Sequence, residues 1–238
     1  MNNCIDISEW NGDLDFDVIR SSGIEYVIIR CGFGQSGIDK YFPIYMEEAQ
    51  RAGLKIGVYY YSYATDYDTA VSEAKHCIEL IEDYRDIIDL PVFYDVEEDR
   101  NVPRITDVCM GFINTMNYYG YNVGVYTTGS WYSSYFKDIS CDYIWLAYWG
   151  ADDGQPHTKP DYCDIWQYTS KGSVPGAGSG CIDRDIVYNE DMRLLIHQPE
   201  PPDEKDEISH IILDLNHVIK EIKDIEERLI KYDNKEET

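Results

Sequence analysis

Asp95 and Glu97 stand one residue apart at the end of an apolar run, Pro91-Val92-Phe93-Tyr94, with Glu98 next in line. A strand has a period of two, so these two carboxylates project from the same face. Held close together they cannot both ionise easily, and one pKa rises. A protonated carboxyl beside an ionised one is the pair that glycosidic cleavage needs. It offers a proton for the leaving oxygen and negative charge near an oxocarbenium centre. A lone pair of acids in so acidic a sequence reads better as loop or cap residues. Further acids at strand ends change that balance. Asp6 lies in Cys4-Ile5-Asp6-Ile7-Ser8, and Asp183 and Asp185 lie in Gly180-Cys181-Ile182-Asp183-Arg184-Asp185. In a closed barrel the first and last strands are neighbours, so these acids meet Asp95 and Glu97 above the barrel mouth.

The elements that must position them can be read from apolar runs. Residues 4–8, 26–31, 56–63, 91–96, 123–127, 143–149, 164–168 and 181–187 read as strands. Several are apolar or aromatic throughout, which suits parallel strands buried on both faces. Residues 41–53, 67–84 and 105–120 carry helical periodicity, and the first and last of these end in Gly53 and Gly120, which favour a helix C-terminus. The later connections are shorter and richer in Gly, Pro and Asp. Alternating strands and helices predict an α/β fold, an irregular (β/α) TIM-like barrel, with a second half too short for eight full units.

Aromatic residues cluster at the strand ends: Tyr59, Tyr61, Tyr63, Tyr126, Trp145, Trp149, Trp166 and Tyr168, in a chain with 22 tyrosines. Aromatic faces stack on pyranose rings, and tyrosine hydroxyls bond their edges. Tyr59, Trp145 and Tyr168 read as packing; Tyr61, Tyr126 and Trp166 are the candidates for a cleft.

A formal charge of −25 excludes nucleic acid and anionic lipid as partners. No apolar run approaches the roughly 20 residues of a membrane span. Residues 1–10 lack a secretory signal pattern, so synthesis in the cytoplasm is expected. Cys4, Cys31, Cys77, Cys109, Cys141, Cys163 and Cys181 are scattered without a CxxC, which reads as reduced, mostly buried thiols and no metal site. The carboxylate chemistry calls for no cofactor.

The pattern changes after residue 197. Residues 198–206 form a Pro-rich linker. In residues 207–233 the apolar positions Ile208, Ile211, Leu215, Val218, Ile222, Ile225 and Leu229 alternate spacings of three and four. These are the a and d positions of a heptad, so the tail is expected to be a coiled-coil helix that makes the chain a homo-oligomer, ahead of an amphipathic helix lying back on its own domain or one that recruits another protein.

Nine stretches, in order, give the chain a resemblance to glycoside hydrolase family 25, the muramidase family of bacterial autolysins and phage endolysins. They are Asp6-Ile7-Ser8-Glu9-Trp10-Asn11-Gly12 with Asp15-Phe16; Val27-Ile28-Ile29-Arg30; Asp39-Lys40-Tyr41-Phe42; Ala52-Gly53-Leu54-Lys55-Ile56-Gly57-Val58-Tyr59; Tyr94-Asp95-Val96-Glu97; Val125-Tyr126-Thr127; Trp145-Leu146-Ala147; Ile165-Trp166-Gln167-Tyr168-Thr169; and Val174-Pro175-Gly176 leading to Asp183. The resemblance spans residues 1–197. It implies an irregular barrel that cleaves the β-1,4 bond between N-acetylmuramic acid and N-acetylglucosamine in bacterial peptidoglycan. It further implies that Glu97 is the general acid/base, Asp95 its partner, and Asp6 and Asp183 the remaining acids. The family's closing motif is usually Asp-x-Asn, and here it is Asp183-Arg184-Asp185, so Asp185 is an alternative to Asp183. Arg30 and Gln167, within two matching stretches, join Tyr61, Tyr126 and Trp166 as candidate substrate contacts.

The resemblance favours a phage or prophage endolysin released to the wall with the help of a holin. A different class stays open: an oligomeric glycan-binding or virion-assembly protein whose barrel binds wall sugars without efficient hydrolysis. A chitinase-like hydrolase would share the acid pair, but the opening Asp-Ile-Ser and the Trp-Gln-Tyr segment disfavour it. Route, too, is open among a retaining nucleophile, inversion, and attack by the substrate's own 2-acetamido oxygen polarised by Asp95. The acid spacing and an N-acetylated substrate favour the last, and an inverted first-formed anomer in NMR would exclude it.

Overall fold

A computed structural model describes residues 2–136, 139–178 and 180–192, together with Ile219 and Ile222. The chain divides into two compact units, Met1–Ile196 and His197–Thr238. The expected linker and coiled coil, with the oligomer through Ile208, Ile211, Leu215, Val218, Ile222, Ile225 and Leu229, fall almost wholly outside the described residues. Only Ile219 and Ile222 of that stretch are described, both helical.

The first unit is a mixed α/β barrel. Its strands are β1 (Asn2–Ile7), β2 (Tyr26–Phe33), β3 (Gly37–Ile38), β4 (Lys55–Tyr61), β5 (Val92–Asp95), β6 (Val123–Thr128), β7 (Tyr143–Ala147), β8 (Ile165–Gly172) and β9 (Ile182–Val187). Eight of them close in the order β1-β2-β4-β5-β6-β7-β8-β9 and back to β1, while β3 hangs on the end of β2. Within the barrel, neighbours from β1 through β8 are parallel, but β9 runs antiparallel to both β8 and β1, and β3 runs antiparallel to β2. The direction of the closing strand is invisible in an apolar run and sets which of its residues reaches the mouth.

Five α-helices among the described residues cover the outside: α1 (Phe16–Ser21), α2 (Phe42–Ala52), α3 (Tyr67–Ile81), α4 (Ile105–Tyr118) and α5 (Gly129–Tyr135). Local signals set their ends. Asp66 caps α3, its carboxylate accepting from the Thr69 N–H, and Gly53 ends α2 in the left-handed conformation at φ 71°. The helix expected to run to residue 84 ends at Ile81 and tightens into a 3₁₀ segment, Glu82–Ile87. No helix joins β7 to β8, and a hairpin joins β8 to β9, so the barrel is irregular in its second half, as its short connections suggested.

Strand alternation divides the core into two layers. Val27, Ile29, Val58, Tyr60, Val92, Tyr94 and Val125 face outward under the helices. Tyr26, Ile28, Tyr59, Phe93, Tyr126, Trp145 and Val187 fill the barrel itself. Trp145 is its centre, with Tyr59, Phe93 and Tyr126 rings at centroid distances of 5.9, 5.5 and 4.5 Å. Gly124 lies opposite Phe93, where a Cβ would come within 2.4 Å of the ring, so the aromatic filling depends on a residue without a side chain. This aromatic plug is the floor on which the acids stand.

All seven cysteines are free thiols, and Cys4, Cys31, Cys77 and Cys109 are buried. Among the described residues no helix is long and apolar enough to cross a membrane, and no His, Cys, Asp and Glu cluster suits a metal ion.

Candidate active site

The C-terminal ends of the parallel strands and the N-terminal end of β9 form one mouth. Asp95 ends β5, and its backbone neighbours in register are Tyr61 on β4 and Tyr126 on β6. Asp6, near the end of β1, is the direct cross-strand partner of Asp183 on β9. Partners in an antiparallel pair hold their Cβ atoms about 5 Å apart, so the two carboxyls are forced into proximity. The segment after β5 is pinned on both sides. Ser62 N–H donates to the Asp95 carbonyl (2.9 Å), Thr127 Oγ1 donates to the Val96 carbonyl (3.0 Å), and Glu98 N–H donates to Asn101 Oδ1 (2.9 Å). Glu97 sits between these anchors.

Burial on the aromatic floor decides the electrostatics. Desolvation is the first cause of a raised carboxyl pKa at Asp6, Asp95, Glu97, Asp183 and Asp185, and mutual repulsion adds to it. Asp183 is pushed up to about 7 by desolvation, then by Asp152 and Glu97. Asp185, with no exposed surface, is pushed up to about 8, although the Trp145 indole N–H donates to it at 2.9 Å. At Asp95 the Arg30 guanidinium opposes the rise, and Oδ1 is buried without a hydrogen-bond partner. Glu97, raised by burial and then by Glu98, keeps part of its side chain open to solvent. A solvent-reached carboxyl with a raised pKa is suited to donate a proton, and Asp95 beside it is buried.

Asp183 and Asp185 both point into the barrel, but at different depths. Asp183 pairs with Asp6 at the mouth; Asp185 pairs with Cys4 one layer down. Only Asp183 of the two is partly exposed.

The candidate substrate contacts are placed unequally. Tyr61 is half-buried at the rim, donates its hydroxyl to Glu98 Oε1 (2.9 Å) and packs edge-on against the exposed Tyr63. Tyr126 lies among the acids and donates to Gln167 Oε1 (3.0 Å). Gln167 in turn donates from Nε2 to Asp6 Oδ2 (2.8 Å). Trp166 is not brought to the mouth. Its neighbour Gln167 takes the inward face, so Trp166 packs outside with Tyr168 and Ile186, its indole N–H donating to the Tyr148 carbonyl (2.8 Å). Arg30 points inward but is already engaged. Its Nε donates to Asp39 Oδ2 (2.9 Å) and an Nη to Glu9 Oε1 (3.1 Å), and Asp39 has no exposed surface. Its part is to hold the segment after β1 against the barrel. Arg30→Met leaves Asp39 buried without its cation. It is expected to cost about 3 kcal/mol, read as a fall of about 6–12 °C in thermal unfolding. An unchanged unfolding temperature would exclude this role.

Trp149 is a mouth residue outside the candidate contacts. It is 37% exposed and its indole N–H donates to Gln167 Oε1 at 2.9 Å. It lies past the end of β7, where strand alternation no longer tells inward from outward. Trp10, 83% exposed, stands on the segment after β1.

The family model for glycosyl hydrolases family 25 matches residues 5–177. The autolytic lysozyme of Clostridium acetobutylicum is 32% identical over 187 residues, 76% of this chain and 54% of that protein. The chain therefore spans about half the length of that relative. Lysozyme M1 of Streptomyces globisporus is 24% identical over 209 residues, 80% of this chain and 69% of that protein. Among solved structures, the catalytic domain of endolysin ply40 from bacteriophage P40 of Listeria monocytogenes superposes with a TM-score of 0.72. It is 25% identical, over 79% of this chain and 93% of that one.

Proposed function

The chain belongs to glycosyl hydrolase family 25, and from that premise we propose that its barrel is a muramidase. It hydrolyses the β-1,4 bond between N-acetylmuramic acid and N-acetylglucosamine of bacterial peptidoglycan. The observation that carries the reading is the crowding of Asp6, Asp95, Glu97 and Asp183 at one mouth, with Glu97 raised in pKa yet reached by solvent. Glu97 delivers the proton to the leaving oxygen and afterwards takes one from water. Asp95 orients or stabilises the reacting sugar, and Asp6 and Asp183 complete the acidic floor of the cleft. Tyr61 and Tyr126 supply ring faces and hydroxyls to the sugar.

Mass spectrometry of muropeptides released from purified Gram-positive walls tests the bond. Products ending in reducing N-acetylmuramic acid are expected; reducing N-acetylglucosamine, or no release, would overturn the assignment. An endolysin role is supported by the likeness to the phage P40 enzyme domain. It predicts that protein made in the cytoplasm lyses its host only once the membrane is permeabilised. The heptad of the tail supports a homo-oligomer, and a monomeric mass in light scattering would refute it.

A further inference from the structure

We propose that Asp152 is a positioning residue for Asp6, acting through the turn that carries Trp149. The proposal rests on the reading of the mouth as a glycan-cleaving site.

Asp152 is the one non-glycine residue at positive φ among the described residues, at 47°. A side chain in that region costs free energy, although aspartate and asparagine tolerate it better than most. Something must hold it there, and four contacts to one strand do so. Oδ1 accepts from Thr169 Oγ1 (2.7 Å) and from the Ser170 N–H (2.9 Å). Oδ2 accepts from Ser170 Oγ (3.0 Å) and pairs with Lys171 Nζ (3.2 Å). These contacts bring the Asp152 carboxyl down to about 2, so it is ionised and remains an acceptor throughout the working pH range. All of these carboxylate partners lie at the far end of β8.

The clamp closes a turn. Asp152 N–H donates to the Trp149 carbonyl at 3.0 Å, and Gly150 within the turn also takes positive φ, at 60°. The turn's other end is tied to the same strand. Tyr148 N–H donates to the Gln167 carbonyl (3.0 Å), and the Trp166 indole N–H donates to the Tyr148 carbonyl (2.8 Å). Fastened at both ends, the turn has little freedom, and it presents the Trp149 indole N–H to Gln167 Oε1.

The consequence lies in the Gln167 amide. Its oxygen accepts from both Trp149 and Tyr126, which fixes the amide's orientation and turns Nε2 onto Asp6 Oδ2. That contact holds Asp6 within the cluster of acids, where it lies opposite Asp183 in strand register. The path of contacts thus runs from Asp152 to Trp149, then Gln167, then Asp6. Supporting groups of this kind are worth about 10- to 100-fold when removed.

The test uses the full chain and three variants. Asp152→Gly removes the clamp while relieving the backbone conformation. Asp152→Asn keeps the Oδ1 acceptor and tolerates positive φ. Trp149→Phe removes only the indole N–H donor and some ring area. On wall glycan, Asp152→Gly is expected to lower kcat about 10- to 100-fold with KM nearly unchanged, and Asp152→Asn to recover most of it. Trp149→Phe is expected to lower kcat in the same direction. The side-chain amide signals of Gln167, assigned in NMR by their loss in Gln167→Glu, should shift in Asp152→Gly and Trp149→Phe and stay in place in Asp152→Asn. A Gln167 amide unmoved in Asp152→Gly, or Trp149→Phe indistinguishable from wild type, would overturn the proposal. A wild-type protein that releases no muropeptides would defeat the muramidase reading, while the amide signals still decide the positioning.

Discussion

Glu97→Gln is expected to lower wall hydrolysis by about 10³-fold or more while leaving a folded barrel. The amide keeps the size of the carboxyl and its place between the anchored Val96 and Glu98, but it has no proton to give. Glu97 is raised in pKa by desolvation and by Glu98, so ionising it costs the fold stability. The variant should therefore unfold at the same temperature as the wild type or higher. Turbidity loss of purified walls, set beside a thermal melt, reads both quantities. Near-full activity in a folded variant would sink the assignment of Glu97. Loss of activity with loss of fold would point instead to a structural part, and circular dichroism separates the two.

Asp185→Asn is expected to stabilise the protein strongly at pH 8 and hardly at all at pH 4. Asp185 is fully buried and ionises at about 8 in the folded chain, against about 4 when unfolded. Between those values the folded state binds a proton that the unfolded state has lost. Unfolding then releases a proton, and stability falls as pH rises from about 4 to about 8. The difference amounts to something on the order of 5 kcal/mol at pH 8. Asparagine keeps an oxygen for the Trp145 indole N–H and removes the ionisation. A rise of about 10 °C in unfolding temperature at pH 8 is expected, shrinking towards nothing at pH 4. Equal shifts at both pH values would mean that the carboxyl is not the cause. Asp6, Asp95, Glu97 and Asp183 are raised in the same sense, so the variant should still lose some stability with rising pH.

Much of the site was legible because strand alternation is a local rule. The i, i+2 spacing predicts that Asp95 and Glu97 lie close together, and closure of the barrel brings Asp6 and Asp183 to them. Barrel closure itself followed from the succession of apolar runs and helices. The same rule failed where a strand is buried on both sides. β8 carries apolar or aromatic residues on either face, so its sequence does not say whether Trp166 or Gln167 looks inward. Packing chose Gln167, because the outer groove accepts an indole beside Tyr168 and Ile186 while the inner face needs a donor for Asp6. Arg30 shows a related limit. Its inward register is a strand property, but its engagement by Asp39 and Glu9 depends on a connection returning from elsewhere in the chain.

Sequence by itself determined the candidate chemistry: which carboxylates there are, how they are spaced, and that they stand near strand ends of an α/β barrel. These are matters of residue type and of a period of two. Tertiary structure decided rank among them. The antiparallel course of β9 lifts Asp183 to the mouth and sinks Asp185 beneath it, although both share one strand face. The aromatic floor raises the pKa values by desolvation, and a turn clamped to β8 settles which indole reaches Gln167. Strand direction, depth and burial arise only when distant segments meet, because each is a relation between segments rather than a property of one.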